Sequence, residues 1–177
     1  LFTDYEAMDL DPIISSALDV YADESTTKDA DGDTLSISSE NDDIRKILQN
    51  LFYDVLNIEY NLWPWIRNAC KYGDFFLHLD IEEEVGVVNV VPLSAYEIRR
   101  EEQFDEANPY AVRFYYEGYN TVGQGNTNQE FQPYEIAHFR LLSDTNFLPY
   151  GKSMIESSRK IYKQLTLMED AMLLHRI

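Results

Sequence analysis

Residues 74–93 read DFFLHLDIEEEVGVVNVVPL, and this stretch decides the fold class. Aromatic and β-branched residues recur with a period of two on both sides of the acids at 82–84, which is typical of two short strands. Three adjacent acids between strands indicate a solvated turn that discourages pairing at the sheet edge. Because no helix separates the two runs, they predict an antiparallel pair.

The same period continues further along the chain. AYEIRRE (95–101), AVRFYYEG (111–118) and EIAHFRLL (135–142) also have the composition of strands, and NTVGQGNTNQ (120–129) is typical of an exposed hairpin tip. Sequential strands without intervening helices predict an antiparallel meander.

Helical patterns flank this strand region. Asp11 before Pro12 is a helix-start signal, and apolar spacing extends that helix to about Glu24. A second helix is predicted after residues 39–41, where an apolar stripe begins, and a third over 62–72, ended by Gly73.

Residues 25–34 are predicted to form an acidic loop, and Leu35 and Ile37 a short strand. Residues 153–177 are predicted to form one long helix. Helices, then a meander, then a helix make the fold α+β, and we expect residues 1–177 to form a single domain.

Charge limits the function classes. The formal net charge is −18, and residues 1–43 contain thirteen acids against Lys28 alone, whereas residues 152–177 contain five bases and three acids. Binding to a nucleic-acid backbone depends on many basic contacts, so the acidic part of the chain argues against it. A single cysteine, Cys70, excludes an internal disulfide and is typical of a reducing compartment.

No apolar run approaches the length needed to span a bilayer, so we expect no membrane span. The chain starts at Leu1 without Met, and a helical pattern still runs at Ile177. We therefore expect it to be an excerpt of a longer protein.

The acids at 29–40 resemble a calcium loop in part. Asp29, Asp31, Asp33 and Glu40 occupy the first, third, fifth and twelfth positions, as oxygen ligation requires. The sixth position, which needs glycine for the turn, is Thr34. A solvated acidic turn is the favoured interpretation, and a calcium-responsive or acidic protein-binding module is the alternative function.

No pattern indicates an enzyme or a cofactor. PYGKS (149–153) lacks the first glycine of a phosphate-binding loop, and a turn into a helix with Ser153 and Glu156 as a capping box is the better interpretation. His78, His138 and His175 have no zinc-like spacing. No nucleophile motif is present, although one sequence does not exclude a hydrolase built from distant carboxylates.

Four segments together resemble portal proteins of tailed bacteriophages, closest to those of contractile-tailed phages. They are DPIISSALDVYADEST (11–26), YGDFF (72–76), IRREE (98–102) and FLPYGKSMIESSRKIYKQLTLMEDAMLLHRI (147–177). The last is the most specific, with a Pro-Tyr-Gly turn, a serine and a long helix. The resemblance spans nearly the whole chain.

The resemblance implies a structural, non-enzymatic subunit of a ring, usually a dodecamer, at one capsid vertex. Such rings conduct DNA during packaging and ejection without specific binding, and they contact terminase, capsid and tail-connector proteins. Portals are assembled in the host cytoplasm and remain in the virion. The chain resembles the wing region, with its last helix leading towards a stem beyond Ile177.

The ring implied by the resemblance needs contacts between subunits. We expect the bases of the last helix, Arg159, Lys160 and Lys163, to meet acids of a neighbouring subunit, and Tyr150 to lie at the same interface.

Overall fold

The computed structural model describes residues 1–30, 32–118, 127–142 and 145–175. These residues form an α+β fold, as predicted: helices come first, two small antiparallel sheets follow, and a long helix comes last. The helices are α1 (Phe2–Asp9), α2 (Pro12–Ser25), α3 (Asp42–Gln49), α4 (Ile58–Tyr72) and α5 (Arg159–His175), and a π-helical segment (Asn50–Val55) joins α3 to α4.

The predicted helix signals operate as expected. Asp11 Oδ1 accepts hydrogen bonds from the N–H groups of Ile13 and Ile14, at 2.8 and 3.3 Å, and so caps α2. Gly73 ends α4 with a φ of 85°, a conformation that glycine adopts without a steric cost. Helix α1 was not predicted, although its Tyr5 and Met8 are completely buried.

The strand predicted at Leu35 and Ile37 is wrong. That segment is irregular, and the Leu35 carbonyl accepts a hydrogen bond from the Tyr53 hydroxyl in the π-helical segment. The Leu35 carbonyl is therefore bonded to the Tyr53 side chain, whereas in a strand it would accept a hydrogen bond from a neighbouring strand.

The strands form two three-stranded sheets, so the predicted meander is divided. The strands are β1 (Asp74–Glu82), β2 (Gly86–Leu93), β3 (Ile98–Glu102), β4 (Val112–Gly118), β5 (Thr127–Phe131) and β6 (Ile136–Arg140). Sheet 1 has the order β2-β1-β6 and sheet 2 the order β3-β4-β5, and all pairs are antiparallel. Residues 119–126 of the predicted hairpin tip lie outside the described residues, and 127–129 belong to β5.

Alternation along β1 buries side chains on both faces of this strand at its start, from Asp74 to Leu77. Phe76 and Ile136 point toward sheet 2 and pack with Ile98, Phe114 and Phe131. The opposite face lies against α4. A second cluster, under the helices, contains Tyr5, Met8, Leu18, Cys70 and Ile155. The first strand thus lies between a helical layer and a second sheet.

Candidate functional site

The Pro-Tyr-Gly turn and the residues after it are fastened to the centre of the fold. The Lys152 N–H donates to the Leu141 carbonyl at 3.0 Å, and the Met154 N–H donates to the Cys70 carbonyl at 3.0 Å. Ser153 is buried, and its hydroxyl donates to the Lys71 carbonyl at 2.6 Å. This segment therefore closes the end of α4.

That arrangement corrects two predictions. Ser153 does not form the predicted capping box, because its hydroxyl serves α4 and the Glu156 carboxylate bonds Tyr5 and Arg159 instead. The last helix also does not start at residue 153. A 3₁₀ turn (Glu156–Ser158) precedes α5, and Ser153 itself is held by the end of α4.

Two glycines make the close approach possible. A Cβ at Gly151 would collide with the Gly73 carbonyl and lie 2.8 Å from the Leu141 nitrogen, and a Cβ at Gly73 would lie 2.5 Å from the Ser153 nitrogen. Gly151 lies in the segment that most specifically resembles phage portal proteins. A glycine is required there because the backbone of Gly151 contacts the backbone at Gly73.

A buried polar chain joins the two sheets beside this turn. His138 on β6 lies 2.7 Å from the Asp74 carboxylate on β1 through Nε2, and both side chains are only 3% exposed. Asp74 Oδ1 also accepts the Gly151 N–H at 2.9 Å. On the other side of the imidazole, Arg100 Nη1 on β3 lies 3.2 Å from Nδ1. Sequence reasoning treated His138 as isolated, because 64 residues separate it from Asp74.

Tyr150, predicted to lie at a subunit interface, takes part in this junction. It packs against the core between the sheets, and its hydroxyl accepts the Arg100 N–H at 3.0 Å. Its hydroxyl is thus used within the chain.

The predicted interface bases Arg159 and Lys163 also have partners within the chain. Arg159 binds both Glu156 oxygens, at 2.8 and 2.9 Å, and reaches Asp4 of α1 at 3.0 Å, while Lys163 lies 2.6 Å from Asp4. These contacts lower the pKa of Asp4, Lys163 contributing first and Arg159 second. Burial opposes ionisation of Glu156, but hydrogen bonds from Arg159 and Tyr5 lower its pKa.

A second ion cluster ties α4 to α1 and α2. Arg67 donates to both oxygens of Asp9, at 2.8 and 3.1 Å, and to Asp19 at 2.6 Å, while Lys71 donates to Asp9 at 2.9 Å. The hydrogen bonds from Arg67, aided by Lys71, lower the pKa of Asp9 to about 2. Several of the acids near the N-terminus are therefore structural.

Helix α5 carries an apolar stripe that the described residues of the chain leave exposed. Ile161, Leu165, Met168 and Met172 recur at four- and three-residue steps and are each about half exposed or more. Tyr162 and Lys163, which contact α1, lie on the other side of the helix. Lys160 is exposed, and within the described ranges no residue pairs with it.

The described residues show no metal centre. Asp29 accepts the Asp33 N–H at 3.1 Å, as in an ordinary turn, and Asp31 lies outside the described residues. Within the part of the chain that is described, no three His, Cys, Asp or Glu side chains are grouped to hold a metal ion.

In the same residues, no helix is long and apolar enough to cross a bilayer.

Comparison with known proteins agrees with the resemblance seen in the sequence. No curated protein matches the chain closely enough to serve as a relative. The family model described as bacteriophage T4-like portal protein (Gp20) matches residues 1–177, which is the full length given. The chain therefore belongs to the T4-like portal protein family, whose members are structural proteins of genome packaging and head–tail connection.

Proposed function

We propose that these 177 residues form the wing-like region of a portal subunit, in a ring of twelve copies at the capsid vertex. The observation that carries the proposal is the family match over residues 1–177. The uncovered apolar stripe of α5 supports it, because a helix with apolar residues on a face away from its own chain is typical of a larger assembly.

The proposed conduit role agrees with the charges. Residues 1–43 contain thirteen acids and one base. Arg67, Arg113 and Arg159 are each engaged by carboxylates and so are not presented to phosphates. An acidic surface with paired bases would let DNA pass without binding it, since phosphate contacts depend on available Lys and Arg.

We further propose that Tyr150, Arg159, Lys160 and Lys163 lie near the contact between neighbouring subunits. Lys160 is the best placed of the four, since its charge is exposed and the other three bond within the chain. Terminase, capsid and tail-connector proteins are the proposed further partners. Assembly in the host cytoplasm would precede incorporation into the virion.

Mass photometry and electron microscopy of the complete protein test the proposal. A closed ring of twelve subunits is the expected particle. A uniform monomer or dimer at micromolar concentration would overturn it. A Lys160→Glu variant should form fewer rings than a Gln164→Glu variant, which adds a charge to the same helix without reversing one.

A further inference from the structure

An apolar groove lies between the helical layer and sheet 1, with a volume of about 390 Å³. Leu51, Phe52 and Trp65 belong to its helical wall, and Leu77, Val87 and Phe139 to its sheet wall. Every residue of its lining is apolar. Phe139 is 54% exposed, so the groove is open to the outside.

The π-helical segment shapes one wall of this groove. The Leu56 N–H donates to the Leu51 carbonyl five residues earlier, at 2.9 Å, which is the π-helical pattern. The segment carries Leu51 and Phe52 into the lining. An open apolar surface of this kind marks a site of protein interaction.

The α5 stripe (Ile161, Leu165, Met168 and Met172) is the second uncovered apolar surface. Its spacing of four, three and four residues is that of a helix seated in a groove. At 3.6 residues per turn, Leu165 lies about 160° around the helix from Leu167. Helix α1 contacts the side with Tyr162 and Lys163, so among the described residues the stripe faces away from the rest of the fold.

Ring symmetry connects these two surfaces. In a cyclic ring, each interface joins two different surfaces of the same chain, one from each neighbour. We infer that the α5 stripe of one subunit docks into the apolar groove of the next, so a second copy of this chain is the occupant. This inference rests on the proposed ring and names its contact surfaces.

Charge supports a second copy as the occupant. Arg159 and Lys163 are paired within the chain, but Lys160, next to Ile161 of the stripe, is exposed and has no charge partner among the described residues, although the chain has a net charge of −18. Residues 50–62, which contribute five of the eight lining residues of the helical wall, contain the acids Asp54 and Glu59 and no base. Two copies of such an acidic chain repel each other in general, and this pairing brings opposite signs together.

The dimensions agree as well. Ile161 and Met172 are separated by eleven residues, or about 16 Å along a helix. Phe75 and Leu79, which line the groove on β1, are about 13 Å apart along a strand. The groove is thus long enough to seat three successive side chains of the stripe.

Cysteine cross-linking in the complete protein tests the contact directly. A Leu165→Cys, Phe139→Cys double variant, treated with a short bismaleimide, should give a ladder of cross-linked oligomers on a denaturing gel. Each single variant is the control and should stay monomeric on that gel. The native Cys70 is buried and its thiol pKa is raised by burial, so it contributes little background.

The outcomes separate this inference from the proposed function. Rings without a cross-link between residues 165 and 139 would overturn the contact and leave the ring intact. A wild-type protein that stays monomeric would overturn both.

A pair of matched substitutions gives an independent test. Leu165→Asp should lower the fraction of subunits in rings at least tenfold, whereas Leu167→Asp, on the other side of the helix and more exposed (69% against 47%), should lower it less than twofold. Circular dichroism should show both variants folded, because both side chains lie outside the core. Equal effects of the two variants would contradict the docking geometry.

Discussion

The Nε2 atom of His138 lies 2.7 Å from Oδ1 of Asp74, and its Nδ1 atom lies 3.2 Å from the Arg100 guanidinium. Because a guanidinium only donates hydrogen bonds, Nδ1 has to be the acceptor. This contact places the ring hydrogen on Nε2, directed at the carboxylate. One ring in a defined tautomer thus connects β1, β3 and β6.

Removing the Asp74 carboxylate should strongly destabilise the fold. In Asp74→Ala, the buried His138 Nε2–H and the Gly151 N–H both lose their acceptor. Each unsatisfied donor costs about 1–3 kcal/mol, so we expect the two together to lower the free energy of unfolding by about 2–6 kcal/mol in chemical denaturation.

Asp80→Ala is the matched control on the same strand. Asp80 is 42% exposed and accepts from Asn89. Its replacement should cost less than about 1 kcal/mol, in the range of an exposed pair. Similar losses for the two variants would mean that the buried junction contributes little.

Adding a methyl group at Gly151 should prevent the turn from docking. The new Cβ would meet the Gly73 carbonyl and the Leu141 nitrogen, two backbone groups that are joined by a hydrogen bond from the Leu141 N–H to the Gly73 carbonyl at 2.9 Å. We expect Gly151→Ala to lower stability by at least about 3 kcal/mol, at the upper end of overpacking effects. Thermal unfolding measures the loss.

Gly86→Ala is the control for Gly151→Ala, because it adds backbone strain without a steric overlap. Gly86 has a φ of 95°, but nothing lies within 4 Å of a Cβ placed there. The control should therefore cost only about 1–2 kcal/mol, as expected for a left-handed residue without a clash. A larger effect at Gly86 than at Gly151 would contradict the close-packing account.

Asp9 should make stability depend on pH in the acid range. Its folded-state pKa of about 2 lies below the ordinary 3.8, because Arg67 and Lys71 favour the carboxylate. The stabilisation is present above about pH 4 and is lost as the pH falls toward 2, and it amounts to about 2 kcal/mol. Urea unfolding between pH 2 and 6 should show this slope, reduced in Asp9→Asn and retained in Glu83→Gln.

Charge reversal should distinguish a base of α5 that stabilises its own chain, Arg159, from one that is proposed to contact a neighbouring subunit, Lys160. Arg159→Glu places a new acid beside Asp4 and Glu156, so we expect a loss of about 1–2 kcal/mol in the stability of the chain itself, as for a surface network of several charges. Lys160→Glu should change stability by less than about 0.5 kcal/mol. A stable Arg159→Glu protein would show that the intrachain cluster is dispensable.

Local signals in the sequence determined many elements correctly. The Asp11-Pro12 start, the Gly73 stop and the limits of β2 follow from single residues whose conformational preferences are strong. Helix α1 was not predicted, because no side chain caps its first turn and only Tyr5 and Met8 mark its buried face.

The candidate site was much harder to predict. Asp74, Arg100 and His138 come together only through strand pairing and the packing of one sheet on another, neither of which leaves a motif in the sequence. The partners of Arg159 and Lys163 within the chain were not predicted, for the same reason. Asp4 lies more than 150 residues away, and nothing near it in the sequence indicates that α1 packs beside α5.

The fastening of residues 151–155 has a mechanical consequence. The segment that leads into α5 is held by backbone hydrogen bonds to Cys70 and Leu141 and by the hydrogen bond of the Ser153 hydroxyl to the Lys71 carbonyl. A force applied along α5 must therefore pass directly into α4 and β1. If α5 tilts during genome movement, we expect α4 and β1 to rotate with it.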